Sequence, residues 1–379
     1  MKAKNSFKIL NITLCLLLAI SIIQISVFVA PSSAVSQDEE LQLQATTEGK
    51  DEQQSPAMVV EQLVYELDSQ NYDALINLWI SQEQDELRQF FSSPDAKAKG
   101  EGFHSIKDAK LLSLKQLPIE AGTDYGAEAT DYISEYGDAC LYYVALDLKV
   151  RNESKYFING ANYLLVLLVP ESDQWKIALM PKAPVGVLNQ DGFGFDDEAE
   201  KKAIKRQKHL EKTGEVINEN GTVIEDLAAS PEQNLEEKGG KDTLHIFKED
   251  AELSKSDASI AATDDHTVPS TIRVYLTNSG TNKSFEFYYY VKNVLPNEWY
   301  SNWPDKSLQA GALAVKMYGW YRVYVPKYPG KGYDVRDDDS DQTFKVNSEV
   351  TSCTAAINAV GGIGVDRKDG NLFATLVCN

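Results

Sequence analysis

Residues 140–180 read CLYYVALDLKVRNESKYFINGANYLLVLLVPESDQWKIALM, and this stretch decides the fold class. Leu141 to Val150 and Tyr163 to Val169 are apolar runs too short for typical helices, and Glu171-Ser172-Asp173 turns the chain into a third run, Gln174 to Met180. Upstream, Leu112, Leu114 and Gln116 alternate with period two, as a strand does. Before these strands the pattern is helical. Ser55 is an N-cap and Pro56 the first helical residue, with Val59, Leu63, Tyr65 and Leu67 as the apolar side of the helix. Two further helical runs follow, Asp73 to Ile80 and Gln84 to Phe91. Helices first and an antiparallel meander afterwards make an α+β fold.

That element order, over residues 55–185, resembles small nuclear-transport-factor-two-like domains, in which a curved sheet wraps an N-terminal helical layer. The resemblance lies in element order alone, and the polar residues of this stretch do not converge, so it reads as an accessory module for interaction or spacing.

Working outward toward the N-terminus, residues 35–54 are polar and acidic without an apolar face, the composition of a solvated tether. Residues 1–34 have the layout of a signal peptide: Lys2, Lys4 and Lys8, an apolar run from Ile9 to Ala30, then small Ser32 and Ala34 before a cleavage point. The alternative is a retained single membrane anchor, since the apolar run is long. Leu14 stands where a lipoprotein signal wants a small residue, which argues against Cys15 as a lipid-bearing cysteine. Cys140, Cys353 and Cys378 are too few for a disulfide scaffold; Cys140 reads as a buried thiol, and Cys353 and Cys378 as a pair or as two isolated thiols. With 57 acidic against 37 basic residues, the formal charge of −20 argues against a nucleic-acid binder and against docking on an anionic membrane. A secreted protein is expected.

Toward the C-terminus, residues 186–267 form a charged linker. Within it Asp196, Asp197 and Glu198 open a helix that closes with Lys205, Arg206 and Lys208, the sign order a helix dipole favours. Asn220-Gly221 between Val216-Ile217 and Val223-Ile224 signals a tight hairpin. A last domain spans residues 268–379. Thr271 to Thr277 is a half-buried strand turned by Asn278-Ser279-Gly280, and Phe285 to Val291 is an aromatic strand or a strand-to-helix entry. A long helix runs from about Lys306 to Val325, where Ala310, Ala312 and Ala314 permit close packing. On it Met317, Trp320, Tyr321 and Tyr324 make one stripe, read as core packing with sugar stacking as the alternative.

Three stretches here carry a family resemblance: Tyr290-Val291-Lys292-Asn293-Val294-Leu295-Pro296-Asn297-Glu298-Trp299, then Ser307-Leu308-Gln309-Ala310-Gly311-Ala312-Leu313-Ala314-Val315-Lys316-Met317-Tyr318, then Asp339-Ser340-Asp341-Gln342-Thr343-Phe344. In this order they resemble the stage II sporulation protein D/LytB amidase-enhancer domain, from roughly Pro269 to the C-terminus. The resemblance implies a peptidoglycan-acting, cell-wall-associated protein of a spore-forming or related Gram-positive bacterium. It implies a lytic transglycosylase with Glu298 as catalytic acid, or a wall-binding module that enhances a cell-wall amidase without turnover. Trp299, Trp303, Lys316, Tyr318, Asp341 and Gln342 are the candidate substrate-binding residues. Lys316 stands where the family commonly has Arg, and Met317 where it has Thr or Ser. The family domain usually continues with further strands, so a shortened C-terminal end is expected.

One glutamate suffices for this chemistry. Ordinary glycosidases need two carboxyls, but a lytic transglycosylase uses the 6-hydroxyl of the muramic acid as its own nucleophile. A single group then protonates the departing oxygen and takes the hydroxyl proton, and Trp299 and Trp303 supply an apolar surrounding that favours the protonated acid. No cofactor is expected. Asp337, Asp339 and Asp341 begin like an EF-hand loop, but Gln342 replaces its glycine and Ser348 its bidentate glutamate. Asp334 to Phe344 holds neither the Cys nor the His with which some family members bind zinc, so no metal site is expected.

Overall fold

A computed structural model of the chain describes residues 54–127, 129–229, 266–361, 363–365 and 372. The expectations for the signal segment, the tether and Cys378 fall outside those residues.

The N-terminal layer is Pro56–Ser69 (α1), Tyr72–Asn77 (α2), Ser81–Ser92 (α3) and Pro94–Lys99 (α4). The Ser55 hydroxyl accepts from the Met58 N–H at 3.3 Å, Pro56 follows at the first position, and Gln70 ends α1 in the left-handed region at φ 54°. Val59, Val60, Leu63, Val64 and Leu67 are buried, whereas Tyr65 is 66 % exposed. At 100° per residue Tyr65 lies 200° around the helix from Leu63, so it cannot share that face; this corrects the apolar side read from the sequence.

A four-stranded antiparallel sheet follows: Ile106–Leu117 (β1), then two short helices Ala121–Asp124 (α5) and Ala129–Tyr136 (α6), then Cys140–Val150 (β2), Gly160–Glu171 (β3) and Gln174–Leu179 (β4), in the order β1-β2-β3-β4. The apolar runs of β2 and β3 are nearly continuous because both faces of the sheet are covered. Val144, Leu146, Leu164 and Val166 pack with Val59, Leu63 and Trp79 of the helical layer. Their neighbours Tyr143, Ala145, Leu165 and Leu167 pack on the other face with Ala127, Val185 and Leu188. The register of β1 shifts between Leu111 and Ser113, and this bulge leaves Leu112 exposed, where simple alternation had placed it with Leu114 and Gln116.

Beyond β4 come Val185–Gln190 (α7), Glu198–Thr213 (α8), and the hairpin Glu215–Ile217 (β5) with Val223–Asp226 (β6). Asp197 caps α8 by accepting from the Glu200 N–H at 2.8 Å. Thr271–Leu276 (β7) and Thr281–Glu286 (β8) then form an antiparallel pair. Phe285 to Val291 proves to be the strand-to-helix entry: β8 ends at Glu286, whose carboxylate accepts from the N–H groups of Tyr288 and Tyr289 and so starts Phe287–Glu298 (α9). Asp305–Tyr324 (α10), Val335–Arg336 (β9, parallel to β7) and Thr351–Ala359 (α11) complete the described elements.

Helices α9 to α11 share one core with β7. Met317, Trp320, Tyr321 and Tyr324 are all buried in it, so the stripe on α10 packs the core. Ala312 is buried in that core, and a further close approach on α10 falls at Gly311. A Cβ there would lie 2.7 Å from the Trp299 ring.

Charged side chains tie the last elements to the first. The Lys331 ammonium pairs with Glu83 and Glu86 of α3, the Arg336 guanidinium with Glu86 and Asp338, and Lys155 with Asp334 at 2.7 Å. Among the described residues no helix is long and apolar enough to cross a membrane.

Candidate functional site

Glu298 is the last residue of α9, and Pro296 lies inside the final turn, where it supplies no backbone N–H. The carboxylate is half-buried. One oxygen, Oε1, accepts from the Thr343 backbone N–H at 2.6 Å, a charge-assisted bond that fixes its orientation. The other oxygen has no hydrogen-bond partner among the described residues.

The loop carrying Thr343 is itself pinned to α9. The Ser348 N–H donates to the Asn293 side-chain oxygen at 2.6 Å, and the Asn297 amide donates to the Ser348 hydroxyl at 2.8 Å. Phe344 inserts beneath the loop and stacks on Tyr290, with ring centroids 5.2 Å apart. The Tyr290 hydroxyl donates to the Gln342 side-chain oxygen at 3.0 Å; burial above all, then the charge of Asp341, holds that phenol's pKa well above its ordinary value, which keeps it a donor. The Gln342 amide nitrogen is buried with no hydrogen-bond partner among the described residues.

Aromatic residues follow Glu298 directly in the chain. Trp299 leans on Gly311, and its indole N–H donates to Ser307 at 3.3 Å. Trp303 meets it edge to face, with centroids 6.0 Å apart and planes at 82°. Tyr300 lies 5.5 Å from Trp303. Trp303 is 43 % and Tyr300 72 % exposed, so two large rings stand in solvent in the segment that directly follows Glu298. Tyr300 escaped the sequence reading, although it sits between the two tryptophans that were selected; nothing in the sequence distinguished it from the buried tyrosines nearby.

The remaining candidates fall into two groups. Asp341 and Tyr318 lie behind the loop. The Asp341 carboxylate accepts from the Tyr318 hydroxyl at 2.5 Å and from the Arg336 N–H at 2.7 Å, and it pairs with Lys327 at 3.1 Å. With its side chain fully buried, it shapes the loop from below. Lys316 belongs elsewhere. It is fully buried, and its ammonium donates to the carbonyls of Val360, Gly361 and Ile363 beyond the end of α11. Burial pushes its pKa down to about 8. All three ammonium protons are engaged by backbone, so Lys316 serves as a helix-end clamp where the sequence reading had it meet substrate.

The aspartates that mimic an EF-hand diverge. Asp337 accepts from the backbone and hydroxyl of Thr277, Asp341 from the partners above, and Asp339 is exposed.

Comparison with known proteins meets this geometry. Residues 277–363 match the family described as SpoIID, stage II sporulation protein. The span covers the β7–β8 turn, α9, α10, the Thr343 loop and α11, and therefore both Glu298 and everything that holds it. It is narrower than the stretch from Pro269 to the C-terminus but agrees with the resemblance read from the sequence. A match to this family implies a sporulation- or cell-wall-related role. No curated protein matches the chain.

Proposed function

We propose that the protein acts on peptidoglycan as a lytic transglycosylase, with Glu298 as the single acid and base. The observation that carries this reading is the tether from the Thr343 N–H to one Glu298 oxygen, which leaves the second oxygen uncommitted at the head of the segment that carries the exposed rings of Tyr300 and Trp303. The protonated carboxyl gives its hydrogen to the glycosidic oxygen as the bond from that oxygen to the anomeric carbon breaks. The 6-hydroxyl of the same sugar then closes on the anomeric carbon and returns a proton to the carboxylate. Atoms balance without water, and the product ends in a 1,6-anhydro ring.

Trp303 and Tyr300 supply flat apolar faces for sugar rings, and Trp299 braces Trp303 edge to face. Gln342 and Asp341 keep the loop in place. Such a substrate lies outside the cytoplasm, in keeping with a secreted, wall-associated protein.

Glu298→Gln keeps the shape of the side chain and the bond from Thr343 but cannot donate the proton. It is expected to lower release of anhydro-ended fragments from stem-peptide-free glycan by at least ~10²-fold, the scale of a lost general acid. Unchanged release, followed by mass spectrometry, overturns the reading. A second reading is a wall-binding or amidase-enhancing module without turnover, which the exposed ring pair also supports. In that case the wild-type protein pellets with sacculi and releases no soluble fragment.

A further inference from the structure

The helical layer holds a groove that the polar residues of its sequence did not reveal. It is open, about 620 Å³ in volume, and formed where α1 ends and α2 and α3 begin to pack. The left-handed backbone of Gln70 turns the chain there and sets Asn71, Tyr72 and Asp73 along one wall; Arg88, Gln89 and Phe91 make the other. Tyr72 is stacked on Phe91, with centroids 4.4 Å apart and planes within 17°. Phe91 is in turn nearly parallel to Phe103, and Phe103 to Phe157. Phe103 and Phe157 are buried. Tyr72 is therefore the outer ring of a rigid ladder that is anchored in the core.

Around this ring three polar groups are uncommitted. The Asn71 amide, the Tyr72 hydroxyl and the Asp73 carboxylate make no side-chain hydrogen bond among the described residues. Arg88, by contrast, is held by Gln84 at 2.8 Å and by Asp85 at 2.6 Å, whose carboxylate opposes its charge. A flat rigid ring flanked by an uncommitted amide, hydroxyl and carboxylate, in a groove without strong net charge, suits a neutral carbohydrate better than a polyanion. The walls are helical, so they offer no strand edge to an extended peptide. The groove is also joined to the region of Glu298. Gln89 donates to the Gly280 carbonyl in the turn between β7 and β8 and accepts from the Tyr275 hydroxyl of β7, and β8 runs straight into α9.

The geometry points to a second glycan-binding site in this groove, with Tyr72 as its stacking platform. The choice of glycan rests on the peptidoglycan reading above. The site holds a strand while Glu298 acts on it or, if there is no turnover, adheres to the wall by itself.

The test is calorimetric titration of the full chain with the β-1,4-linked tetramer of N-acetylglucosamine, in the Glu298→Gln background to prevent cleavage. Saturable binding is expected. Tyr72→Ala should weaken it at least about fivefold, the value of one aromatic face. Asn71→Trp, at an exposed position that cannot disturb the core, should do the same by filling the groove. Wild-type affinity in both variants, or no saturable binding at all, overturns the inference. Cleavage is scored separately on the wild-type chain. Anhydro ends with no effect of either groove variant on binding sink the groove alone; groove binding without anhydro ends sinks the cleavage reading alone.

Discussion

At the scale of the residue, the position of Glu298 is set by the backbone of Thr343, which lies 45 positions away. The N–H bond fixes one oxygen, so removing it should affect catalysis more than folding. Thr343→Pro deletes that donor, though it also fixes φ there and restricts Gln342, and is expected to lower anhydro-end formation by at least roughly tenfold, the value of one charge-assisted hydrogen bond, while thermal unfolding moves by a few degrees at most. A loss of activity matched by a large fall in unfolding temperature would mean the loop as a whole had come away. Lys316 shows how far a residue's place in a motif can mislead about its job. A long cation in a motif that resembles the family's suggests a substrate group as its partner, yet its three donors close the carbonyls beyond α11. Lys316→Met should therefore destabilise the chain by about 2–4 kcal/mol in urea titration, because buried acceptors lose their donors.

At the scale of the element, the contact between α10 and the segment after α9 depends on Gly311. Replacing a helical glycine by alanine ordinarily stabilises by about 1 kcal/mol. Here the new methyl would stand 2.7 Å from the Trp299 ring, and overpacking of this kind costs ~1–3 kcal/mol. The second effect is expected to win. Gly311→Ala should lower stability slightly, and the displaced Trp299 should appear as a red shift in tryptophan emission. An unshifted spectrum with raised stability would show that the ring moves freely. Most elements were legible in the sequence. Ser55-Pro56 started α1, Asn220-Gly221 turned β5 into β6, and the acidic-to-basic order of α8 was visible, because caps and tight turns are local chemistry. Tyr65 and Leu112 were misplaced because helix phase and a strand bulge depend on which face meets a neighbour, and neighbours are distant in sequence.

At the scale of the whole molecule, buried ion pairs connect α3 to the segment after α10. Burial alone would raise the pKa of Glu86, but the charges of Lys331 and Arg336 and the hydrogen bonds from Lys331 and Tyr333 outweigh it and hold the group below its ordinary value. A carboxylate depressed in the folded state contributes stability that is present above an unfolded value near 4.5 and is lost as pH falls through the folded value. Stability should therefore decline as pH drops below about 4.5, and Glu86→Gln should flatten that decline. Urea titrations of both proteins from pH 6 to pH 3 measure it; parallel curves would remove Glu86 from the account.

By itself, the sequence determined the α+β class, the caps and turns, and the three motifs around Glu298, because all of these are written in local periodicity and short-range chemistry. Only the tertiary structure decided that Lys316 faces backbone, that Tyr300 stands in solvent beside Trp303, and that Tyr72 caps a ladder of rings. Those facts depend on what long-range packing buries. A side chain's role follows from its burial and its partners, and neither is a property of its own few residues.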